Sequence, residues 1–188
     1  MSREARVDDM DLVRRIRAGD AEALRQVVER YQERIFALIF GIVRDAHEVE
    51  DVAQEVFLKV YTRIDAFDER SQFYTWLYRV AVNAAKDHVK KRVRRPAVAL
   101  DEADTLPGAA EAPETEAARS ETARLVRAAI DALPVRYREV LALRELEGLS
   151  YDEIAAVLSI SMGTVESRLH RARARLKRKL EQTRAREE

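Results

Sequence analysis

Apolar residues recur along most of the chain at steps of three and four, the spacing that places side chains on one face of an α-helix. The clearest stripe follows Asp20, a good helix N-cap, and consists of Leu24, Val27, Val28, Tyr31, Ile35, Leu38, Ile39 and Ile42. Shorter stripes predict a leading helix from Leu12 to Ala18 that ends at Gly19, a helix over roughly 46–63 and another over roughly 71–93. There is little strand signal, so this part of the chain predicts a helical bundle.

The helical pattern stops over residues 96–118, which contain Pro96, Pro107 and Pro113 together with six acidic residues and no basic one. This composition, without apolar periodicity, predicts an extended acidic linker between residues 1–95 and 119–188. Behind the linker, helical patterns lie near 119–132, 135–147, 151–158 and 162–181. The predicted fold class is therefore all-α, with two small helical bundles joined by a flexible acidic linker.

The segment 150–176 predicts a helix-turn-helix. Ser150 can cap a helix whose third position is Glu153, which completes a capping box, and Ser161 can cap the next helix after a three-residue turn. Ser159 occupies a position where this motif often has glycine. Serine has less backbone freedom there than glycine would have. Small or apolar residues occupy the positions where the two helices must touch: Ile154, Ala155, Leu158, Ile160 and Val165.

The second helix of this motif has two unlike sides. On a helical wheel its apolar side holds Val165, Leu169, Ala172 and Leu176, and its opposite side holds Gly163, Ser167, His170 and Ala174, flanked by Glu166 and Arg171. A small, polar side can read base edges in a major groove, and the seven basic residues of 168–179 can hold phosphates. A basic helix alone is equally consistent with a solvated surface, but the capped helix and short turn before it favour DNA binding.

Residues 71–78, SQFYTWLY, are rich in aromatic side chains and precede a helix that ends in the basic run KKRVRR. Aromatic residues beside cations are typical of single-stranded DNA binding. For Phe73 and Leu77 a place in the core is the better interpretation, whereas periodicity leaves Phe67, Tyr74 and Trp76 open. The basic run also fits a solvated helix end, where cations are favoured by the helix dipole.

The helix predicted over 46–63 has a polar face opposite its valines, formed by Asp51, Gln54, Glu55 and Lys59. This largely acidic face would repel DNA. It fits a solvated surface, or a surface for a basic protein partner.

Composition narrows the function further. The 34 basic and 34 acidic residues cancel, yet the charge is segregated, so a nucleic-acid binder is not excluded. The absence of cysteine excludes disulfides, thiolate metal sites and cysteine nucleophiles. The three histidines are scattered and no glycine-rich phosphate loop occurs, so we expect no enzyme, cofactor, metal or small-molecule substrate. The N-terminus lacks the apolar core of a signal peptide, and we expect a cytoplasmic protein.

Three stretches resemble, in order and spacing, the signature stretches of the extracytoplasmic-function sigma factors, most closely the envelope-stress sigma E type: DVAQEVFLKVY, SQFYTWLYRVAVNAAKDHVKKRVRR and LSYDEIAAVLSISMGTVESRLHRARARL. The resemblance covers roughly 8–95 and 119–181. It implies a non-catalytic subunit that binds RNA polymerase core, directs it to promoters of a stress or envelope-response regulon, and helps to melt the minus-ten region. An anti-sigma partner is also implied, often anchored in the inner membrane.

The resemblance also implies roles for particular residues. A sigma-two-like domain, 1–95, would bind the β′ clamp helices of the polymerase through Asp51, Gln54, Glu55 and Lys59. Its minus-ten contacts, to single-stranded DNA, would come from Phe67, Ser71, Phe73, Tyr74, Trp76, Asn83, Lys86 and Lys90. A sigma-four-like domain, 119–188, would dock near the β-flap and read the duplex minus-thirty-five element through Thr164, Glu166, Ser167, Arg168, His170, Arg171 and Arg173. The linker, 96–118, would thread the RNA exit region.

One residue departs from the family pattern. Glu166 lies where close relatives usually carry arginine or lysine, which implies that a phosphate or guanine contact is lost and that the preferred minus-thirty-five sequence differs.

Two other classes of protein remain as alternatives. A free-standing helix-turn-helix regulator that binds operators as a dimer would explain 119–181 but gives 48–95 no role. A helical adaptor that binds only protein would make both basic strips solvated surfaces.

Overall fold

The computed structural model describes residues 3–94 and 113–187 of the chain. Every regular element in these two ranges is helical, which confirms the predicted all-α class. The elements in chain order are α1 (Arg3–Arg17), α2 (Ala21–Val43), α3 (Ala46–Arg63), a 3₁₀ turn (Ile64–Ala66), α4 (Phe73–Arg94), α5 (Pro113–Asp131), α6 (Val135–Leu141), a π-helical turn (Ala142–Leu146), α7 (Tyr151–Leu158) and α8 (Met162–Glu187).

The first domain is a bundle in which α2, α3 and α4 pack against one another and α1 packs against α2. Asp20 caps α2 as predicted, because its Oδ1 accepts hydrogen bonds from the Glu22 and Ala23 backbone N–H groups at 2.9 and 3.3 Å. Gly19 has a φ of +84°, which suits its predicted place after the end of α1. The stripe along α2 supplies the centre of the core: Val27, Tyr31, Ile35, Leu38, Ile39 and Ile42 are buried.

The second domain consists of α5 to α8. Its core contains Val140, Leu143, Ile154 and Leu169. The helix predicted over 135–147 is present but changes its winding, because α6 passes into the π-helical turn at Ala142. The turn places the 143–149 segment so that the Leu149 N–H donates to the Leu143 carbonyl at 3.1 Å.

Three helix limits differ from the sequence-based prediction. Helix α1 begins at Arg3 instead of Leu12, and α8 continues to Glu187. Helix α5 begins at Pro113 instead of near residue 119, so it overlaps the last residues of the predicted 96–118 linker. Proline is favoured at the first helical position, and acidic residues are favoured in the first turn by the helix dipole. The predicted linker upstream of Pro113 lies outside the described residues.

The two domains touch along two lines. Helix α2 packs against α6 and the π-helical turn, and α4 packs against α7. At Gly41 the approach is so close that a Cβ atom added there would lie 2.9 Å from the Cβ of Ala142. Among the described helices, none has the length and apolar character needed to cross a membrane.

Candidate functional site

The helix-turn-helix has the local geometry that its sequence predicts. The Ser150 Oγ accepts from the Glu153 N–H at 3.2 Å, and the Glu153 carboxylate accepts from the Ser150 N–H at 2.7 Å, so the capping box is confirmed. Helix α7 ends at Leu158, and its C-cap Ser159 adopts left-handed backbone angles (φ 54°, ψ 46°) that glycine would adopt more easily. Ser161 then accepts from the Thr164 N–H at 3.2 Å and starts α8.

Helix α8 has the predicted division into two sides. Val165, Leu169 and Ala172 are buried against the domain, and the opposite side is open. A shallow concavity of about 690 Å³ runs along this open side and is lined by Tyr151, Gly163, Glu166, Ser167, His170, Arg171, Arg173, Ala174 and Lys177. We call this side the outer face of α8. The concave shape of this face and its mixture of small and basic side chains suit contact with a DNA groove.

The predicted minus-thirty-five residues do not all lie on the outer face. The Thr164 hydroxyl is engaged with the Ser161 hydroxyl at 2.8 Å, and Ser167 donates to the Thr164 carbonyl at 3.0 Å. Arg168 faces the protein instead, where its guanidinium donates to Glu139 at 2.8 Å. In this arrangement Arg168 is therefore engaged with Glu139, and its contact with minus-thirty-five DNA stays a prediction.

Glu139 is the partner of a second cation as well. This α6 residue is only 1% exposed, and the Nζ atom of Lys86, in the other domain, lies 3.1 Å from its second carboxylate oxygen. A buried carboxylate is stable only when it is paired. One residue of the predicted minus-ten set and one of the predicted minus-thirty-five set thus share a single buried counter-ion.

Two further carboxylates of the second domain bind the first domain. Glu147, whose side chain is 2% exposed, lies 2.9 Å from Arg34 and accepts from the Tyr78 hydroxyl at 2.5 Å. Burial raises the pKa of Tyr78, and the hydrogen bond to Glu147 raises it further. Glu153 accepts from the Tyr74 hydroxyl. The hydroxyl groups of Tyr74 and Tyr78 therefore hold helix α4 to the second domain.

The aromatic residues before and within α4 form a cluster. The Phe67 ring lies 5.6 Å from both the Phe73 and the Trp76 rings. Phe67 and Phe73 are buried, Tyr74 is at the edge of burial, and Trp76 is partly exposed. The interpretation that Phe73 belongs to the core is confirmed, and Phe67 and Tyr74 are core residues too. These three rings do not present open faces for stacking here, because they pack on their neighbours.

The exposed members of the minus-ten set are Ser71, Asn83, Lys86 and Lys90. The lysines border a cleft of about 610 Å³ between α4 and the second domain. The basic run behind them is partly structural, because Arg92 lies 3.3 Å from Asp45 and 3.0 Å from Glu48 on the first turn of α3 and its cap.

The predicted polar face on α3 is present. Asp51 and Gln54 are exposed and Glu55 is half-buried, with the Lys59 Nζ 2.7 Å from the Glu55 carboxylate. The hydrogen bond from Lys59 lowers the pKa of Glu55, so the carboxylate is ionised at neutral pH. Leu58 lies among these polar residues and is 62% exposed. We call this surface the α3 face.

Sequence reasoning missed Leu58, Glu139 and Glu147. A signal for Leu58 existed, because it falls four positions after Gln54 and so lies at the centre of the polar face. Glu139 precedes Ala142 and Leu143 by three and four positions and therefore lies on an apolar stripe. Glu147 follows the π-helical turn, and no periodic pattern in the sequence indicates its burial. Within the described residues no cluster of side chains is arranged to hold a metal ion.

Comparison with known proteins places both domains in one family. The family model for sigma-70 region 2 matches residues 27–95, and the model for sigma-70 region 4 matches residues 123–176. The chain is 42% identical over 181 residues to an RNA polymerase sigma-H factor of Pseudomonas aeruginosa, with 92% of this chain and 94% of the relative covered. It is 39% identical over 181 residues to an ECF RNA polymerase sigma-E factor of Escherichia coli strain K12, with 92% and 94% covered.

A solved structure has a similar arrangement. The structure of CnrH in complex with the cytosolic domain of CnrY matches with a TM-score of 0.66 and 32% identity, and the match covers 93% of this chain and 97% of that chain. The helix-turn-helix, the preceding bundle and both family models agree with one assignment. The chain belongs to the RNA polymerase sigma factors, in the extracytoplasmic-function group.

Proposed function

We propose that this chain is the promoter-specificity subunit of a bacterial RNA polymerase, without catalytic activity of its own. Residues 1–95 would bind the polymerase core and the minus-ten element, and residues 119–188 would read the minus-thirty-five element. The observation that carries this proposal is the outer face of α8. This face is open and concave, and it belongs to a helix-turn-helix whose first helix is capped. The side chains on and beside it can reach both base edges and phosphates.

On the outer face, Arg171 is the side chain we expect to contact a guanine. Its replacement, Arg171→Ala, should weaken promoter binding by about 1–3 kcal/mol and relax the base preference at one position. Arg124→Ala is the matched control, because Arg124 is an exposed arginine on α5 that pairs with Glu121 and does not line the outer face of α8. Glu166→Arg should restore a phosphate or guanine contact and shift the preferred minus-thirty-five sequence. A footprint that Arg171→Ala leaves unchanged would remove Arg171 from the interface.

The α3 face is the proposed docking surface for the β′ clamp helices of the core. Exposed Asp51 and Gln54 and half-buried Glu55 surround an apolar centre at Leu58, and binding sites often have such an apolar anchor ringed by polar contacts. Leu58→Ala should weaken core binding roughly tenfold or more, because such an anchor contributes at least about 1–2 kcal/mol. Val126→Ala, at an exposed apolar residue of the second domain, should leave binding to the β′ clamp helices unchanged.

The free chain is expected to bind DNA weakly. Lys86 and Arg168 cannot hold Glu139 and DNA phosphates at the same time, and Tyr74 is engaged with Glu153. Docking on the core would separate the two domains and present them to two promoter elements. Binding at two linked sites then raises the overall affinity without requiring strong binding at either.

The proposed partner and cellular location are inferred from similar proteins. The similar protein CnrH is in complex with the cytosolic domain of CnrY, which supports a protein partner of the anti-sigma kind for this chain, in the cytoplasm or at the inner membrane. Relatives named sigma-E factors support a regulon that responds to envelope stress.

Run-off transcription with bacterial core polymerase tests the proposal. Promoter-specific starts should appear on a library of candidate promoters only when the protein is added, and aligning them gives both recognition elements. Twofold-symmetric operator binding without core would favour a free-standing regulator. The absence of any binding to core would overturn the sigma role.

A further inference from the structure

The loop that leads into α4 is fastened to α1 by one side chain. Arg17, the last residue of α1, donates to the Phe67 carbonyl at 2.7 Å and to the Ile64 carbonyl at 3.4 Å. The same guanidinium donates to the Glu69 carboxylate at 2.5 Å, and its Nε lies 3.8 Å from the Asp65 carboxylate. Only arginine has a planar fork of donors that can serve several acceptors in fixed directions.

The hydrogen bond from Arg17 to the Phe67 carbonyl also affects the position of the Phe67 ring. The Phe67 ring is the point where the loop enters the aromatic cluster, since it touches both Phe73 and Trp76. A backbone held at Phe67 therefore fixes where the loop begins relative to α4. Loops are held in one conformation only when such contacts offset their conformational entropy.

The outer part of the loop forms a turn of its own. Asp68 accepts at its carboxylate from the Arg70 side chain and N–H, and at its carbonyl from the Ser71 N–H and hydroxyl. These are all contacts between residues no more than three apart. They shape the turn but do not attach it to the bundle, so its position depends on the segment that Arg17 holds.

Arg17 also compensates the charge of the loop. Asp65, Asp68 and Glu69 lie within five positions, and such a cluster would repel DNA phosphates. The hydrogen bonds from Arg70 lower the pKa of Asp68, so this carboxylate is ionised and paired. Asp65 and Glu69 face Arg17, with Arg14 a further 3.9 Å contact for Glu69.

We propose that Arg17 is a positioning residue for minus-ten recognition, one that fixes the 64–72 loop against α1 so that Ser71 and its neighbours meet the DNA in one geometry. This inference rests on the proposed role of the loop in reading the minus-ten element. Arg17 acts on DNA through the loop and through the loop's charge, and does not itself contact a base.

The first test uses the fluorescence of Trp76, the only tryptophan in the chain. In the full-length protein, Arg17→Ala should shift the Trp76 emission to the red, because the Phe67 ring is released from beside it. Arg15→Ala is the matched control, since Arg15 is on the same helix and pairs with Asp11 and Asp20. An unchanged Trp76 spectrum in Arg17→Ala would show that Arg17 does not hold the loop.

The second test is transcription with core polymerase on promoters that differ at single minus-ten bases. Arg17→Ala should reduce the discrimination between preferred and substituted bases about tenfold, while core binding and minus-thirty-five preference stay at the Arg15→Ala level. Arg17→Lys keeps the charge but not the fork, so it should recover overall DNA affinity and only part of the discrimination. Full discrimination in Arg17→Ala would overturn the proposal.

A third variant separates the two possible failures. If Ser71→Ala changes the minus-ten preference and Arg17→Ala does not, the loop reads DNA and the positioning role is wrong. If neither variant changes the preference, the proposed minus-ten role of the loop has itself failed.

Discussion

The close approach of α2 to the π-helical turn makes Gly41 a sensitive position for the contact between domains. A Cβ at Gly41 would lie 2.9 Å from the Ala142 Cβ and 3.2 Å from the Leu146 Cδ1, whereas carbon atoms in contact normally lie about 3.5–4.0 Å apart. Leu146 can change its rotamer, but the Ala142 Cβ is fixed to the backbone. We therefore expect Gly41→Ala to push the two helices apart.

The expected magnitude follows from the overlap. Inserting a methyl group into a well-packed contact costs about 1–3 kcal/mol, and alanine favours the helix over glycine by about 1 kcal/mol. The helix gain applies whether the domains are together or apart, so it cancels in their equilibrium. The overlap cost does not cancel, and it lowers the ratio of joined to separated domains by roughly 5- to 150-fold.

Energy transfer between two dyes, one in each domain, measures this ratio. The chain has no cysteine, so single cysteines can be placed at exposed Gln32 and Gln182. Gly41→Ala should lower the transfer efficiency and increase the binding of the free protein to a single-stranded minus-ten oligonucleotide, because Tyr74 and Lys86 are released. Gly163→Ala, where an added Cβ meets nothing within 4 Å, is the control for the transfer measurement. Equal transfer in Gly41→Ala and the parent would refute the reasoning.

Three further changes probe the second domain. Ser150→Ala removes the side-chain cap of α7 and should destabilise the domain by about 1 kcal/mol, measured as a lower thermal midpoint by circular dichroism; an unchanged midpoint would contradict the cap. Leu169→Ala should cost about 2–5 kcal/mol in denaturant unfolding, because it leaves a cavity in the core. The Tyr74 hydroxyl and the Ser150 N–H lower the pKa of Glu153, so its contribution to stability is present above the unfolded pKa of about 4.3 and is lost as the pH falls through the lower, folded value. Glu153→Gln should abolish this loss of stability at low pH in the contact between the domains. If the loss persists in the variant, another group titrates.

The helix-turn-helix was predictable because its signals are local. The capping box at Ser150 and Glu153 and the cap at Ser161 involve residues three positions apart, and a sequence shows such pairs directly. The start of α5 was missed because Pro113 was interpreted as a linker residue, although proline also suits the first turn of a helix.

The burial and the partners of the aromatic and charged residues could be assigned only from the tertiary structure. Phe67 precedes α4 and has no helical period to assign it, so only its packing on Phe73 and Trp76 shows that it is buried. Glu139 is typical of a solvated residue by composition. Its burial depends on Lys86, which lies more than fifty positions away.

The balanced net charge has a structural meaning that composition alone does not give. The basic helix α4 faces the second domain, where Lys86 pairs with Glu139 and Tyr74 donates to Glu153. Lys86 and Tyr74 belong to the proposed minus-ten set, so under that proposal acidic side chains take the place of phosphates while the domains are together. Because removing one partner leaves a buried charge unpaired, the same contacts that stabilise the joined arrangement require that DNA or polymerase replace them when it opens.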